Sequence, residues 1–389
     1  MFKKIDLVFL AGGKGTRIKK YLNGDPKPLV KINNISFIEI LLRYYSKYIT
    51  GDIYILAGYR GWKIKKKYNN KYFNFCKVKV IVEKKLLGTG GAIFNLKRKI
   101  KNDFVLINAD TFFPINLQKF VNLSNKKKLV NIALTNKKYY SSNKKLINLQ
   151  LKNKIISNSN KNTKYMNGGI YFIKKKLLKI NKQKVFSWEN YLNNNLINNN
   201  QVGGLFFSNI FIDIGTPNKL KLSGKTLNNF FFRPAIILDR DNTINIDKGY
   251  TYKKKDLRFK PKILKYLKYL SNKDYFKFIV TNQAGIAKGL FKIQDFINFQ
   301  QFLKKKLIKK NIFIDDVMFC PYHPNAKIKK YKKNSDLRKP GILMIKQLEK
   351  FWKFNKSKSL VVGDSVLDEK MAKRSSIRFL YIDKLLKKI

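Results

Sequence analysis

A two-domain α/β chain is predicted by three features of this sequence. Short apolar runs recur with helix-like stretches between them, the pattern of sheets covered by helices. A glycine-rich turn follows the first of these runs directly. The two halves carry unlike motifs, so the chain holds two different domains rather than a repeat. The first series of runs is Asp6–Leu10, Ile53–Leu56, Val78–Val82 and Phe104–Ile107, which predicts a mainly parallel sheet. A second series starts at Ala235–Leu238 and continues through Phe278–Val280, Leu360–Val362 and Phe379–Ile382. Between them, Asn218–Phe232 begins polar and ends in three phenylalanines. This places the boundary near Asn228 and the domains at 1–227 and 228–389. The polar segments Asn153–Lys164 and Asn193–Asn200 read as solvated loops.

Composition narrows the class. With 389 residues, 44% hydrophobic and 14% aromatic, the chain can bury two cores and is not a disordered polymer. No apolar run approaches the roughly 18–20 residues that span a bilayer. The opening MFKKIDLVFLAGG has the basic start of a signal peptide, but it carries Asp6 and runs into glycines, which suits a first β-strand. Two cysteines, Cys76 and Cys320, make no disulfide framework and point to a reducing, cytoplasmic setting. The net charge of +61 raises the question of nucleic acid. The basic residues are spread along the whole chain, and Lys, Asn, Ile, Phe and Tyr are all residues of A/T-rich codons. Compositional bias therefore explains the charge, and no nucleic-acid motif accompanies it.

In the first half, Leu10-Ala-Gly-Gly-Lys-Gly-Thr-Arg17 bends tightly after a strand, and Gly12, Gly13 and Gly15 let backbone N–H groups face an anion. Lys14 and Arg17 add charge there. Asp25-Pro-Lys-Pro-Leu29 holds Lys27 between two prolines, and Leu87-Gly-Thr-Gly-Gly-Ala92 is a second glycine turn. Asn108-Ala-Asp110 puts a carboxylate at a strand's C-terminal end, where α/β sheets bind ligands. Asn167-Gly-Gly-Ile-Tyr171 and Ile212-Asp-Ile-Gly-Thr-Pro217 follow. In this order the motifs resemble the sugar-1-phosphate nucleotidyltransferase family over about residues 1–225, which implies a Rossmann-like domain. The resemblance implies attack of a sugar-1-phosphate oxygen on the α-phosphorus of a nucleoside triphosphate, with release of pyrophosphate. Gly12, Gly13, Gly15 and Arg17 would bind the triphosphate and Lys27 would offset charge at the α-phosphate. Asp110 and Asp213 would hold Mg²⁺, Gly88 would flank the base, and Asn167 and Glu189 would face the sugar.

In the second half, Leu238-Asp-Arg-Asp-Asn-Thr243 follows the apolar run AIIL and sets carboxylates at i and i+2 of an extended segment. Ile279-Val-Thr-Asn-Gln-Ala-Gly285 ends a run in small polar groups, Arg338-Lys-Pro340 supplies cations, and Val362-Gly-Asp-Ser-Val-Leu-Asp368 adds carboxylates. This set resembles the haloacid-dehalogenase superfamily of phosphatases over about residues 234–385. DRDNTINIDKGY, TNQAGIAKG, CPYHP and RKP look like its heptose-bisphosphate and histidinol-phosphatase branch. That resemblance implies a Rossmannoid domain in which Asp239 is the nucleophile and Asp241 the acid–base. Mg²⁺ would sit on Asp239, the carbonyl of Asp241, and Asp364. Thr281, Asn282 and Lys339 would bind the phosphoryl oxygens, with Arg338 toward the substrate. Two departures stand out. Asn242 replaces the usual glycine, a change that asparagine's tolerance of positive φ allows. The branch's zinc loop has lost its cysteine pairs: His323 comes one place late after Cys320, and Ser335 and Leu337 take the later positions, so zinc is not expected.

Together the two resemblances imply consecutive steps in nucleotide-sugar synthesis. A heptose 1,7-bisphosphate would lose its 7-phosphate, and the heptose 1-phosphate would take GMP from GTP, feeding glycans of a bacterial surface such as lipopolysaccharide or an S-layer. The same pair of steps on a mannose or deoxyhexose phosphate, or with CTP or dTTP, stays open at this point. So does a basic scaffold with degenerate enzyme folds, against which the intact Asp239, Asp241, Asp110 and Lys27 speak.

Overall fold

The computed structural model describes residues 4–83, 85–136, 149–159, 163–180 and 184–387. The chain forms two compact units that divide between Thr226 and Leu227, inside the helix Pro217–Phe231.

The first unit is built on ten strands: β1 (Asp6–Ala11), β2 (Ile53–Ala57), β3 (Tyr72–Phe73), β4 (Cys76–Val82), β5 (Phe104–Asn108), β6 (Val130–Asn136), β7 (Leu149–Lys152), β8 (Ile155–Asn158), β9 (Tyr165–Ile173) and β10 (Val202–Phe206). Their order across the sheet is β7-β8-β10-β6-β9-β5-β1-β2-β4-β3. Strands β4, β2, β1 and β5 run parallel, and each was an apolar run in the sequence. Leu7, Val8 and Phe9 are fully enclosed because helices cover both faces of a parallel sheet. Beyond β5 the expectation of a mainly parallel sheet fails. Strand β9 pairs antiparallel with both β5 and β6, so the sheet is mixed. No helix is described between β6 and β9, and without a crossover helix neighbouring strands pair antiparallel.

Two segments that read as solvated loops hold regular structure. Asn153–Lys164 was to be a solvated loop, yet Ile155–Asn158 is a strand paired with β7 (residues 160–162 lie outside the described residues). Asn153 and Lys154 take φ of 50° and 61°, the left-handed pair that closes a two-residue hairpin. Asn193–Asn200 overlaps a helical segment, Leu192–Ile197, whose Leu192, Leu196 and Ile197 are buried. The surrounding asparagines hid that apolar face.

The second unit is a five-stranded parallel sheet: β11 (Ala235–Leu238), β12 (Phe276–Asn282), β13 (Asp316–Cys320), β14 (Leu360–Gly363) and β15 (Arg378–Tyr381). Its order is β13-β12-β11-β14-β15, with β11 in the centre. Amphipathic helices separate the strands, among them Ile263–Ser271, Ile293–Lys309 and Leu343–Trp352. They bury Leu267, Leu303 and Leu348. The central strand's C-terminal end is where Asp239 emerges. No described helix is long and apolar enough to cross a membrane.

Candidate active sites

In the first unit, the turn after β1 lies on the stem of Lys27. Gly15 takes φ 66°, and a Cβ there would meet the Lys27 Cβ at 3.0 Å and the Leu22 side chain at 2.9 Å, so no other residue fits without displacement. Gly13, by contrast, faces open space. Lys27 is only 7% exposed, and its Nζ donates to Asp110 Oδ2 at 2.6 Å. Asp213 arrives beside Asp110 through a short antiparallel ladder in which it pairs with Thr111, while the Ile214 N–H donates to the Asp110 carbonyl at 3.1 Å. Asp213 accepts from Lys219 Nζ at 3.0 Å and from the Gly215 N–H at 2.7 Å. The loops after β1 and β5 thus frame a cavity of about 160 Å³, lined by Gly12, Gly13, Lys27, Thr89, Asp110 and Glu189 among others. Arg17 stands exposed, with no partner among the described residues.

Two expected residues, Gly88 and Asn167, take different places. Gly88, with φ 69°, faces the Phe186 carbonyl, and Gly90 and Gly91 press on the Phe186 ring and the Lys184 carbonyl. It is Thr89 that lines the cavity, its Oγ1 accepting from the Trp188 N–H at 2.8 Å. Asn167 is not among the described residues lining the cavity. Its Oδ1 accepts from the Gly169 N–H at 2.9 Å and its Nδ2 donates to Tyr171 Oη at 2.8 Å, so its amide holds a bulge in β9. The bulge brings Gly169 against the side chains of Asn108 and Thr111. Asn108 lines the cavity instead, and its Oδ1 is buried without a hydrogen-bond partner among the described residues. Nothing in the sequence separated Asn108 from an ordinary strand end.

In the second unit, Asp239 is 8% exposed at the end of β11. Lys339 Nζ donates to Asp239 Oδ1 and Asp368 Oδ1, both at 2.6 Å. Asp239, Asp364 and Asp368 each offer an oxygen within 4.8 Å of the others. Burial, opposed by Lys339 and aided by Asp368 and Asp241, pushes the Asp239 carboxyl up to about 7. Burial alone would lower the Lys339 pKa, but Asp239 and Asp368 outweigh it and the ammonium is held well above its usual value. Lys339 pairs with two of the three carboxylates, and the raised Asp239 and Asp364 carboxyls mark a cluster whose negative charge a divalent cation would offset.

Asp368 was quoted in the motif yet given no role; its Oδ2 caps its own helix through the Ser365 hydroxyl at 2.6 Å. Asn282 does something other than face phosphate with its side chain. Its Oδ1 accepts from the Lys339 N–H at 3.0 Å and its Nδ2 donates to the Lys339 carbonyl at 3.3 Å, so the amide fastens the Arg-Lys-Pro loop. Thr281 is buried, its Oγ1 accepting from Gln283 Nε2 at 2.9 Å. Asn242 takes φ 55° in glycine's place. The Cys320 loop is closed by backbone bonds: the His323 N–H donates to Tyr331 and the Lys333 N–H to His323. His323 Nδ1 accepts from the Asn325 N–H at 3.1 Å, and burial raises the Cys320 thiol. Burial, then the charges of Arg338 and Lys288, lowers the His323 pKa. Lys288 Nζ also donates to Tyr250 Oη at 2.6 Å.

Both units therefore set a lysine and carboxylates at the C-terminal edge of an α/β sheet, the equipment of phosphoryl and nucleotidyl transfer. Residues 7–223 match the nucleotidyl transferase family model, and residues 235–385 match that of polynucleotide kinase 3 phosphatase. The chain belongs to the nucleotidyl transferase family and carries a haloacid-dehalogenase-like phosphatase unit behind it, so it is an enzyme of both classes. The D-glycero-beta-D-manno-heptose-1,7-bisphosphate 7-phosphatase of Rhodopseudomonas palustris is 37% identical, covering 37% of this chain and 81% of the relative. The D-glycero-alpha-D-manno-heptose 1-phosphate guanylyltransferase of Campylobacter jejuni is 32% identical, covering 54% of this chain and 94% of the relative. The crystal structure of HddC from Yersinia pseudotuberculosis is 25% identical, covering 57% of this chain and 99% of that one, with a TM-score of 0.47.

Proposed function

We propose that the chain converts a D-glycero-α-D-manno-heptose 1,7-bisphosphate into GDP-heptose in two steps, each unit performing one. The observation that carries this reading is the fusion itself. One relative is named for making a heptose 1-phosphate and the other for consuming one. Their names differ in anomer, β for the phosphatase and α for the guanylyltransferase. Hydrolysis at C7 leaves C1 untouched, so within one chain both steps must use the same anomer, and the transferase sets it as α.

In the second unit, Asp239 attacks the 7-phosphorus, the P–O bond to the sugar breaks, and the leaving alkoxide takes a proton from Asp241. Water then attacks the aspartyl-phosphate and gives its proton to Asp241, releasing phosphate and restoring Asp239. Lys339 and the Thr281 hydroxyl face the phosphoryl oxygens, and Arg338 and Lys288 suit the second phosphate. Mg²⁺ fits the carboxylate cluster and supplies charge neutralisation at the phosphoryl group. Asp239, Asp364 and the Asp241 carbonyl would hold it, with Asp368 beside them bonded to Lys339 and Ser365.

In the first unit, the sugar-1-phosphate oxygen attacks the α-phosphorus of GTP, and pyrophosphate leaves. The loop at Gly12, Gly13 and Gly15, with Arg17, cradles the triphosphate, and Lys27 faces the α-phosphate. Asp110 and Asp213 would hold Mg²⁺, Thr89 beside Gly88 flanks the base, and Glu189 faces the sugar. Both cysteines are free and buried, which suits the cytoplasm. The test is a panel of sugar phosphates and triphosphates, read for phosphate and pyrophosphate. Heptose 1,7-bisphosphate with GTP should give both, phosphate first. Turnover of only mannose or deoxyhexose phosphates would overturn the heptose assignment.

A further inference from the structure

Arg240 stands between Asp239 and Asp241 in the sequence and has no part in the steps above. It is completely buried, over the rings of Phe296 and Phe299 at 5.6 and 5.0 Å. Its Nε donates to Asp241 Oδ1 at 2.9 Å and its Nη2 to Asp241 Oδ2 at 2.7 Å, so the planar fork grips both oxygens. Nη2 also donates to the Thr251 carbonyl at 3.0 Å, which ties the guanidinium to the far side of the loop. Two more donors complete the cage: Asn245 Nδ2 on Oδ1 at 3.2 Å and Gln283 Nε2 on Oδ2 at 3.0 Å. The backbone arranges this locally, because the Arg240 carbonyl accepts from the N–H groups of both Ile244 and Asn245 and so folds Asn245 back. One donor, Arg240 Nη1, is buried with no hydrogen-bond partner among the described residues. Enclosing a guanidinium and leaving one of its N–H groups unmatched costs stability, and replacing such a pair by apolar groups is often neutral or better. An ion pair kept on those terms calls for a reason other than stability.

We infer that Arg240 is a positioning residue for phosphate-ester cleavage: it fixes the Asp241 carboxylate in the one orientation from which it can pass a proton to a poor leaving group. The inference rests on the reading of Asp241 as the acid–base group. It has a consequence that a structural ion pair does not share. A sugar alkoxide needs a proton to leave, whereas p-nitrophenolate leaves without one. Loosening Asp241 therefore slows cleavage of alkyl phosphates and spares aryl phosphates. The comparison is made in kcat/KM, which reports the step in which the P–O bond breaks and not the later hydrolysis of the aspartyl-phosphate.

The test compares Arg240→Lys, which keeps a buried cation but cannot bridge two oxygens, with the unaltered chain on a primary alkyl phosphate and on p-nitrophenyl phosphate. The alkyl kcat/KM should fall by about a hundredfold, the lower end of what a positioned acid contributes, with the aryl value little changed. Gln283→Met removes another donor to Asp241, and one to Thr281 Oγ1, without touching a buried charge; a phosphate contact serves both substrates alike, so only their ratio is read. It should shift the same ratio in the same direction by less, and it serves if Arg240→Lys does not fold. Asp241→Asn is the reference. If it too loses alkyl and aryl turnover equally, the acid–base reading of Asp241 is wrong. If Asp241→Asn separates the two substrates while Arg240→Lys and Gln283→Met leave their ratio unmoved, Arg240 is structural only.

Discussion

The two units solve one problem, a lysine facing an aspartate at a strand end, in opposite ways. Lys27 meets a single carboxylate at 2.6 Å, and the Asp110 side chain stays 38% exposed. Lys339 meets two carboxylates at the same distance, and their side chains are 8% and 1% exposed. In the first unit the ammonium pairs with a carboxylate that borders the cavity. In the second the ammonium is enclosed between two carboxylates, those of Asp239 and Asp368. An open pair suits a site that must admit a nucleotide and a sugar phosphate together. A closed pair suits one that must keep an aspartate ready for a single phosphoryl group.

That contrast can be broken most directly by removing metal. Both sites are built from oxygen donors, so chelation should abolish both activities and Mg²⁺ should restore both. Metal analysis of the purified chain should find no stoichiometric zinc; about one tightly held zinc per chain would show that the Cys320 loop binds metal after all.

Next come the single-site variants. Asp239→Asn removes the nucleophile and should cut phosphate release more than about a thousandfold, leaving pyrophosphate release from supplied heptose 1-phosphate near its original rate. A folded variant that loses both would show that the sites are not independent. Lys27→Ala should cost pyrophosphate release about a hundred- to thousandfold and stop the bisphosphate at heptose 1-phosphate. Accumulation of a nucleotide-linked heptose 7-phosphate by Asp239→Asn would reverse the proposed order of steps.

A smaller effect sharpens the reading of the cavity. Asn108 Oδ1 is a buried acceptor awaiting a donor, while the Asn167 amide already has partners at both ends. Asn108→Ala should lower kcat/KM for the sugar 1-phosphate about tenfold, the value of one buried hydrogen bond, and leave the KM for GTP unchanged. The loss should disappear with the deoxy analogue that lacks the hydroxyl being read. A uniform loss across all deoxy analogues would mean that Asn108 only supports the bulge.

What the sequence made legible follows from how each element is buried. Strands β1, β2, β11, β12 and β14 have parallel neighbours on both sides and β5 on one, so they read as plain apolar runs. Strands β8 and β10 carry asparagine or paired glycines, and β9 is broken by its bulge, so no run announced them. Among site residues, Asp239, Asp241 and Lys339 stood in motifs whose spacing needs no structure to interpret. Asn108, Thr89, Asp368 and Arg240 owe their places to side-chain partners far away in sequence or to a rotamer, and spacing encodes neither. Asn282 and Asn167 show the other side of this: spacing marked them as ligand contacts and gave no sign that their amides also tie the chain to itself.

The smallest expected effect tests the contrast through salt. The chain carries +61, so its field draws polyanionic substrates toward both sites at low ionic strength. The Debye length shrinks from about 30 Å at 0.01 M to about 10 Å at 0.1 M, which removes long-range attraction but leaves buried contacts intact. Between those salt concentrations kcat/KM should therefore fall for both activities, through KM. Stability should move the other way, since screening relieves self-repulsion, and the unfolding midpoint should rise as salt is added. Turnover itself is the discriminating quantity. Lys27 and Lys339 are 7% and 4% exposed, so kcat should hardly respond in either unit if each lysine acts from where it is buried. If kcat for pyrophosphate release falls with salt while kcat for phosphate release stays level, the exposed Asp110 side of the first pair reaches solvent during the reaction. The open pair would then differ from the closed one in the chemical step and not only in admitting substrate.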